Sequence, residues 1–361
     1  MPHTSHLFVA LSSHGFGHLA QAAPVLNALR QRLPTLRLTV QGALPTTVLR
    51  NRIVGDFEHI AEATDVGMIM ANAMDVQVAA SLTAYRAFHA DWKTRLGHQQ
   101  KLLASLKPDL VLADIPYLPL AATARLGIPA VALCSLNWSD ILRAYCPAES
   151  DFTALINTMQ EAYNSAAMFL CPAPSMPMPH LANTCVIGPV ATIGRQRRSY
   201  LNTRLGLTGE ETLVLAGLGG IEFCLPMDHW PTIPGVRWLV PAAWEVKRPD
   251  VSYRETVADV PFIDLLLSSD VLLTKSGYGS FTEAVCNGKP VLYVQRDDWP
   301  EEPGLSRWLT EHGNALAIDR DKLEAGCLLE SLHSLLAQPP RPALKPTGID
   351  QATGYLAKVL A

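Results

Sequence analysis

The chain has 361 residues, of which 48% are apolar and 17% charged, and its net charge is −4. That length suits two or three domains, and the composition excludes a disordered chain, which combines low hydrophobicity with high charge. Net acidity excludes a dedicated nucleic-acid binder, because phosphate recognition needs a large cationic surface. The charge is uneven along the chain. No Asp or Glu precedes Asp56, whereas Arg30, Arg32, Arg37, Arg50 and Arg52 lie in that stretch, and the remainder carries 24 basic against 33 acidic residues. The cysteines (Cys134, Cys146, Cys171, Cys185, Cys224, Cys286, Cys327) are odd in number and dispersed without a CxxC pair, which reads as reduced thiols in a cytoplasmic protein. The opening MPHTSHLFVALSSHG has no charged n-region and only a short apolar run, so no signal peptide is expected. No apolar stretch approaches the roughly 20 residues of a bilayer span, which leaves peripheral membrane contact as the only membrane role expected.

In chain order, LFVAL (7–11) is a buried-strand run, SSHGFGH a glycine loop, and Leu19, Ala22, Ala23, Leu26, Leu29 and Leu33 fall on one helical face. The unit recurs. LRLTV (36–40) is a strand and TTVLRNRI a short helix. After an irregular stretch around 55–80, one long helix runs from about Ser81 to Leu106. DLVLAD (109–114), IPAVALC (128–134) and MFLC (168–171) are strands, with helices over LPLAATARLG and about 151–165. VIGPVATIGRQRRS, around Ile187-Gly188-Pro189, breaks the pattern and reads as a linker. Alternation restarts with TLVLAGLGG, VRWLVP, DVLLTKSGYGS, PVLYV and ALAID as strands. Helices are expected over PFIDLLLSS, FTEAVCNG, about 301–312 and about 321–337. After a Pro-rich stretch, IDQATGYLAKVL is a final amphipathic helix. Strands alternating with helices imply parallel sheets covered on both faces, hence two tandem Rossmann-like α/β domains with a ligand in the crevice at the strand carboxyl ends. The expected boundaries are 1–188, 189–345 and a C-terminal helix at 346–361 that packs back on the first domain.

Gly15, Gly17 and Ala20 match a dinucleotide fingerprint formally, but no acid stands about 20 residues on to hold a ribose, so a nicotinamide enzyme is disfavoured. His14 and His18 have H-x-x-x-H spacing, yet two glycines lie between them and no carboxylate or cysteine adjoins them in sequence, so no metal site is expected there. His18 reads either as a helix-start residue satisfied by backbone or as a base carried on a glycine loop. Asp114, at the end of its strand, either caps the next turn or orients His18 as the acid of a triad does. In the second half, Gly219 and Gly220 let backbone approach a diphosphate. Lys275, Ser276 and Ser280 add donors beside a helix N-terminus. Ser280 and Glu283 have capping-box spacing, but Glu283, one turn into the helix, is read in preference as the acceptor of two ribose hydroxyls. Asp319-Arg320-Asp321 has D-x-D spacing at a helix start, where capping is the expected role. The sequence carries no GxxxxGK[ST], GxSxG or HExxH.

These blocks resemble the two-Rossmann-domain, B-type (GT-B) glycosyltransferases along nearly the whole chain. DVLLTKSGYGSFTEAVCNGKPVLYVQRDDWPEEPGLSRWLTEHG is similar to their nucleotide-sugar site. With HGFGH and LNWSDILRAY (136–145) it resembles most the glycosyltransferase-like N-terminal region of plant L-arabinokinase, and more distantly the peptidoglycan N-acetylglucosaminyltransferase. The resemblance implies a cytoplasmic, inverting, metal-independent hexosyltransferase that needs no cofactor and uses a nucleotide-diphosphate sugar, expected to be a UDP-sugar, as substrate. It implies His18 as general base and Asp114 as its orienting acid. Gly219, Gly220, Ser276, Gly277, Tyr278, Gly279, Ser280 and Glu283 match the nucleotide site. Arg296, Asp298, Glu301 and Glu302 stand where the donor sugar is bound, and His14, Gly17, Trp138 and Tyr145 on the acceptor side. Glu301-Glu302 replaces the family's usual Gln or Asp-Gln, so the donor sugar is not inherited. A small molecule, a glycan or a lipid-linked alcohol all fit as acceptor. Hydrolysis or epimerisation of a nucleotide sugar, and non-catalytic sensing of one, remain alternatives on the same fold.

Overall fold

A computed structural model describes residues 4–146, 150–220 and 223–361 of the chain. It divides into two compact units, residues 1–71, 76–190 and 347–361 in the first and 72–75 with 191–346 in the second. The first holds β1 (His6–Leu11), β2 (Arg37–Gln41), β3 (Glu58–Ile60), β4 (Leu110–Asp114), β5 (Ala130–Leu133), β6 (Met168–Pro172) and β7 (Thr184–Ile187). Their order across the sheet is β3-β2-β1-β4-β5-β6-β7, and every pairing is parallel. The second holds β8 (Thr212–Ala216), β9 (Val236–Val240), β10 (Val251–Tyr253), β11 (Val271–Lys275), β12 (Val291–Val294) and β13 (Ala315–Ile318). Their order is β10-β9-β8-β11-β12-β13, again all parallel.

Both orders reverse direction beside the first strand of the unit, which is the arrangement that opens a crevice at the strand carboxyl ends. The switch lies between β1 and β4 in the first unit and between β8 and β11 in the second. All six residues of β1 are buried, because helices cover a parallel sheet on both faces. Leu7, Val9 and Leu11 pack with Leu19, Leu26 and Leu29 of the helix Gly17–Arg32, and with Leu356 and Leu360 of the C-terminal helix Gly348–Leu360. Among the described residues, no helix is long and apolar enough to cross a membrane.

Three elements differ from their sequence expectation. The long helix from Ser81 is two helices, Val78–Ala90 and Trp92–Leu106, that share Asp91 as a non-helical joint. An aromatic stack spans the joint: His89 lies flat on Trp92 with centroids 5.1 Å apart, and Tyr117 stacks on both. The segment read as linker begins later, because Val186 and Ile187 complete edge strand β7 and the units divide after Val190. The last long helix of the second unit is broken into Arg320–Ala325 and Leu329–Leu336 by Gly326, whose φ is +67°. A Cβ there would lie 2.2 Å from Trp230 Cγ, and the indole is held in place by its Nε1 donating to the Glu324 carbonyl at 3.1 Å. Gly326→Ala therefore combines a left-handed backbone with an overpacked core, and is expected to lower stability by about 2–4 kcal/mol. Urea denaturation of the variant checks this, and an unchanged midpoint would contradict it.

Candidate active site

Leu11, the last residue of β1, pairs with Asp114, the last residue of β4, and the chain beyond β1 is pinned there by Ser12 N–H donating to the Asp114 carbonyl at 2.7 Å. The loop then turns at Gly15, whose φ of +74° favours glycine, and the helix starts at Gly17. His18 thus stands in the first helical turn directly above Asp114. His18 Nδ1 and Asp114 Oδ1 are 2.9 Å apart, with both side chains buried. Strand pairing brings together two residues that are 96 positions apart in sequence. Burial pushes the Asp114 carboxyl up from its ordinary value, opposed by the bond from His18 and by Cys134. No cap role is needed for Asp114, since its side chain is spent on His18.

Cys134 Sγ lies 3.6 Å from His18 Nδ1, so a carboxylate and a thiol do adjoin this histidine in space, correcting the sequence-based argument against a metal. His18, Asp114 and Cys134 each offer a ligand atom, all within 4.8 Å of one another. A tetrahedral ion with bonds near 2.0–2.2 Å holds its N and O ligands about 3.3 Å apart. The Nδ1 to Oδ1 separation of 2.9 Å is the length of a direct hydrogen bond instead.

Trp138 is fully buried, with its ring 5.1 Å from that of His14 and 5.6 Å from that of His18, and its Nε1 donates to Asp65 Oδ2 at 2.8 Å. Asp65 was not singled out from the sequence. It lies in the aperiodic stretch before Gly67, which has a φ of +65° and lets the chain pass close under His14. Burial raises the Asp65 carboxyl, opposed by Ser12, His18 and Trp138. Tyr145 is half-buried at the end of the helix Trp138–Tyr145, about 10 Å along the axis from Trp138 and so away from these rings. Gly17 is the first residue of the helix that carries His18.

The second unit repeats the pattern at its own switch point. Leu273 of β11 pairs with Ala216 of β8, and Gly217 N–H donates to the Leu273 carbonyl at 3.0 Å. The loop turns at Gly219, with φ +92°, where a Cβ would come within 3.6 Å of Lys275 Cε. Gly220 follows it. After β11 the chain passes Ser276 and the extended Gly277 into the helix Tyr278–Cys286. The first turn of that helix, which holds Tyr278, Gly279 and Ser280, directs its N–H groups and the positive end of its dipole out of the helix end. Ser276 is 1% exposed and its Oγ has no hydrogen-bond partner among the described residues.

Because the helix begins at Tyr278, its N-cap is Gly277, and the alternative capping box of Ser280 and Glu283 does not form. Tyr278 buries its ring in the apolar core, so only its backbone faces the helix end. Glu283 is buried one turn on. Lys275 Nζ donates to the Ser276 carbonyl at 3.4 Å. Burial, with Arg296 adding repulsion, pushes its pKa down to about 7, against the attraction of Glu301 and Glu302.

Beyond β12 the Arg296 guanidinium sits 4.0 Å over the Trp299 ring. Glu301 accepts from Trp299 Nε1 at 3.3 Å, and Glu302 accepts from the Arg296 N–H at 3.3 Å and from the Ser306 hydroxyl. These two glutamates are buried and fold their own loop, so Arg296 and Asp298 are the residues of that set which line the nearby cavity of about 360 Å³. Asp319 and Asp321 line it too. Asp319 stands at the N-cap but makes no side-chain cap bond, which corrects its expected role. Arg320 crosses the cavity wall to Asp75 in a two-pronged pair at 2.9 Å.

No family model matches the chain. It is 25% identical to L-arabinokinase of Arabidopsis thaliana over 311 residues, which is 85% of this chain and 30% of that protein, so it spans under a third of that relative. It is 22% identical to an uncharacterized glycosyltransferase of Methanopyrus kandleri over 244 residues, 63% of this chain and 68% of the other. The calicheamicin glycosyltransferase CalG4 superposes with a TM-score of 0.61 over 100% of this chain and 94% of its own, at 16% identity. Arabidopsis thaliana UGT89C1 in complex with UDP gives 0.60 over 99% and 100%, at 14% identity. The chain has the fold of these proteins, the two-domain B-type glycosyltransferase fold.

The lowered value of Lys275 sets a direction for stability. Below about pH 7 the buried ammonium is charged in folded and unfolded chains alike and its burial cost is complete. As the pH climbs toward the ordinary lysine value of 10.5 the native state binds fewer protons than the unfolded one, and stability rises. Lys275→Met is expected to be more stable than wild type near about pH 6, with the gap closing by about pH 10. Urea denaturation at both pH values checks it, and a gap that widens with pH would contradict it.

Proposed function

We propose that the chain is a glycosyltransferase that moves a sugar from a nucleotide-diphosphate donor to an acceptor hydroxyl, by inversion and without a metal ion. The contact of His18 Nδ1 with Asp114 at 2.9 Å carries the reading. With Nδ1–H committed to the carboxylate, the imidazole keeps the tautomer whose Nε2 takes a proton, and Asp114 stabilises the imidazolium that forms. The acceptor oxygen attacks the anomeric carbon as the bond to the diphosphate breaks. The acceptor proton goes to Nε2 and the electron pair leaves with the diphosphate.

The second unit supplies what that leaving group needs. Gly219, Gly220 and the N-terminus of the helix that starts at Tyr278 offer backbone N–H groups, the buried Ser276 hydroxyl seeks a partner, and Lys275 gains a counter-charge. Glu283, buried one turn into the helix, is assigned to the ribose hydroxyls. Arg296 and Asp298 are assigned to the sugar, while Glu301 and Glu302 shape their loop. A UDP-sugar is the donor this reading favours, supported by the UDP held by UGT89C1 on the same fold. His14, Gly17 and Trp138 belong to the acceptor side, with Tyr145 at its margin.

His18→Ala is expected to bind UDP as wild type does, by calorimetry, while turnover falls by about 10²–10⁴-fold. Full activity in that variant would remove the base assignment. Donor consumed at the same rate with and without any acceptor would replace transfer by hydrolysis.

A further inference from the structure

The charge around His18 carries information about the acceptor. Three of the five arginines that precede the first acid of the chain are spent away from this site. Arg30 donates to the Val54 and Asp56 carbonyls, Arg37 pairs with Glu58 at 3.1 Å, and Arg50 lies over Phe57. What faces His18 is acidic. Asp114 is fully buried against its Nδ1, and the half-buried Asp65 lies beside Trp138, whose indole contacts both Asp65 and the His18 ring. Asp65 attracts His18 and repels Asp114, so the two carboxylates act on the same imidazole. Asp114 alone orients the histidine, so the second carboxylate is not needed for that task. The half-buried Asp65 carboxylate accepts from the Trp138 indole N–H and from Ser12, and a carboxylate has about four lone-pair sites, so it keeps room for a further donor.

We propose that Asp65 is an acceptor-binding residue that receives a hydroxyl or ammonium group neighbouring the hydroxyl His18 deprotonates, so that the acceptor is a polyol or amino alcohol and not an anion. This rests on the transferase reading and names the substrate class of its first unit. A carboxylate or phosphate on the acceptor at that point meets two carboxyls that burial already holds above their ordinary range, and the groups set against that burial are His18, Ser12, Trp138 and Cys134, not an arginine or lysine. An ammonium group gains from the same field. The basic surface of the first unit therefore does not predict an anionic acceptor.

The experiment compares methyl glucosaminide, methyl glucoside and methyl glucuronide, which differ in charge on one pyranoside frame. Binding of each to the UDP-loaded wild type and to Asp65→Asn is measured by calorimetry, and transfer from a panel of UDP-sugars is measured in parallel. Wild type is expected to prefer the ammonium sugar over the neutral one and the neutral one over the carboxylate. In Asp65→Asn the ammonium sugar is expected to lose about tenfold or more in affinity, with the order flattened. UDP affinity and thermal midpoint of the variant are expected to stay near wild type, which separates recognition from misfolding. Where transfer occurs, the loss falls on the acceptor KM and not on kcat. Equal or absent binding of all three probes by wild type, or the same order in Asp65→Asn, overturns the proposal. The expected binding order without transfer to any probe overturns the transferase reading and leaves the Asp65 assignment standing.

Discussion

The register of β1 against β4 is the constraint on which the first site depends. With Leu11 opposite Asp114 and Ser12 N–H on the Asp114 carbonyl, the loop after β1 leaves the sheet directly above the end of β4. A slip of one residue would turn Asp114 to the other face of the sheet and leave His18 without a partner. The second unit is built on the same rule, with Leu273 opposite Ala216 and Gly217 N–H on the Leu273 carbonyl. The two switch points therefore share their backbone construction and differ in what they carry. One carries a histidine flanked by carboxylates, the other glycine loops, a helix N-terminus and a lysine.

That difference in charge is chemically coherent. A proton acceptor works best where its charged form is stabilised, and the carboxylates at His18 do this inside a buried site. A departing diphosphate needs positive or dipolar partners that are already aligned, and the second unit supplies backbone N–H groups at fixed positions. Burial brings the Lys275 pKa down to about 7 and the buried Ser276 hydroxyl has no partner among the described residues, two features that the proposed diphosphate would relieve together.

Much of this was legible from residue order. The apolar runs at 7–11, 110–114 and 212–216 are buried strands, and strand ends adjoining glycine loops located both switch points. Pairing His18 with Asp114 needed the resemblance to a known family as well, since nothing local links residues so far apart. Three things were hidden for physical reasons. The joint at Asp91 is decided by a tertiary stack of His89, Trp92 and Tyr117, which local helical periodicity does not report. The capping pattern at Ser280 depends on the residue at which the helix starts, and a start at Tyr278 empties it, whereas Asp319 keeps its N-cap position and only its side-chain bond is missing, which residue order does not report. Asp65 lies in a stretch with no period at all, and only the fold brings it to Trp138.

Direct displacement with His18 as base, the proposed reaction, fixes the stereochemistry of the product. The most direct measurement is the anomeric configuration of the product, read by NMR after transfer from an α-linked UDP-sugar in the presence of a chelator. A β-linked product formed at an undiminished rate is the predicted result. A retained α-linkage, or activity that returns only when a divalent ion is restored, would contradict it.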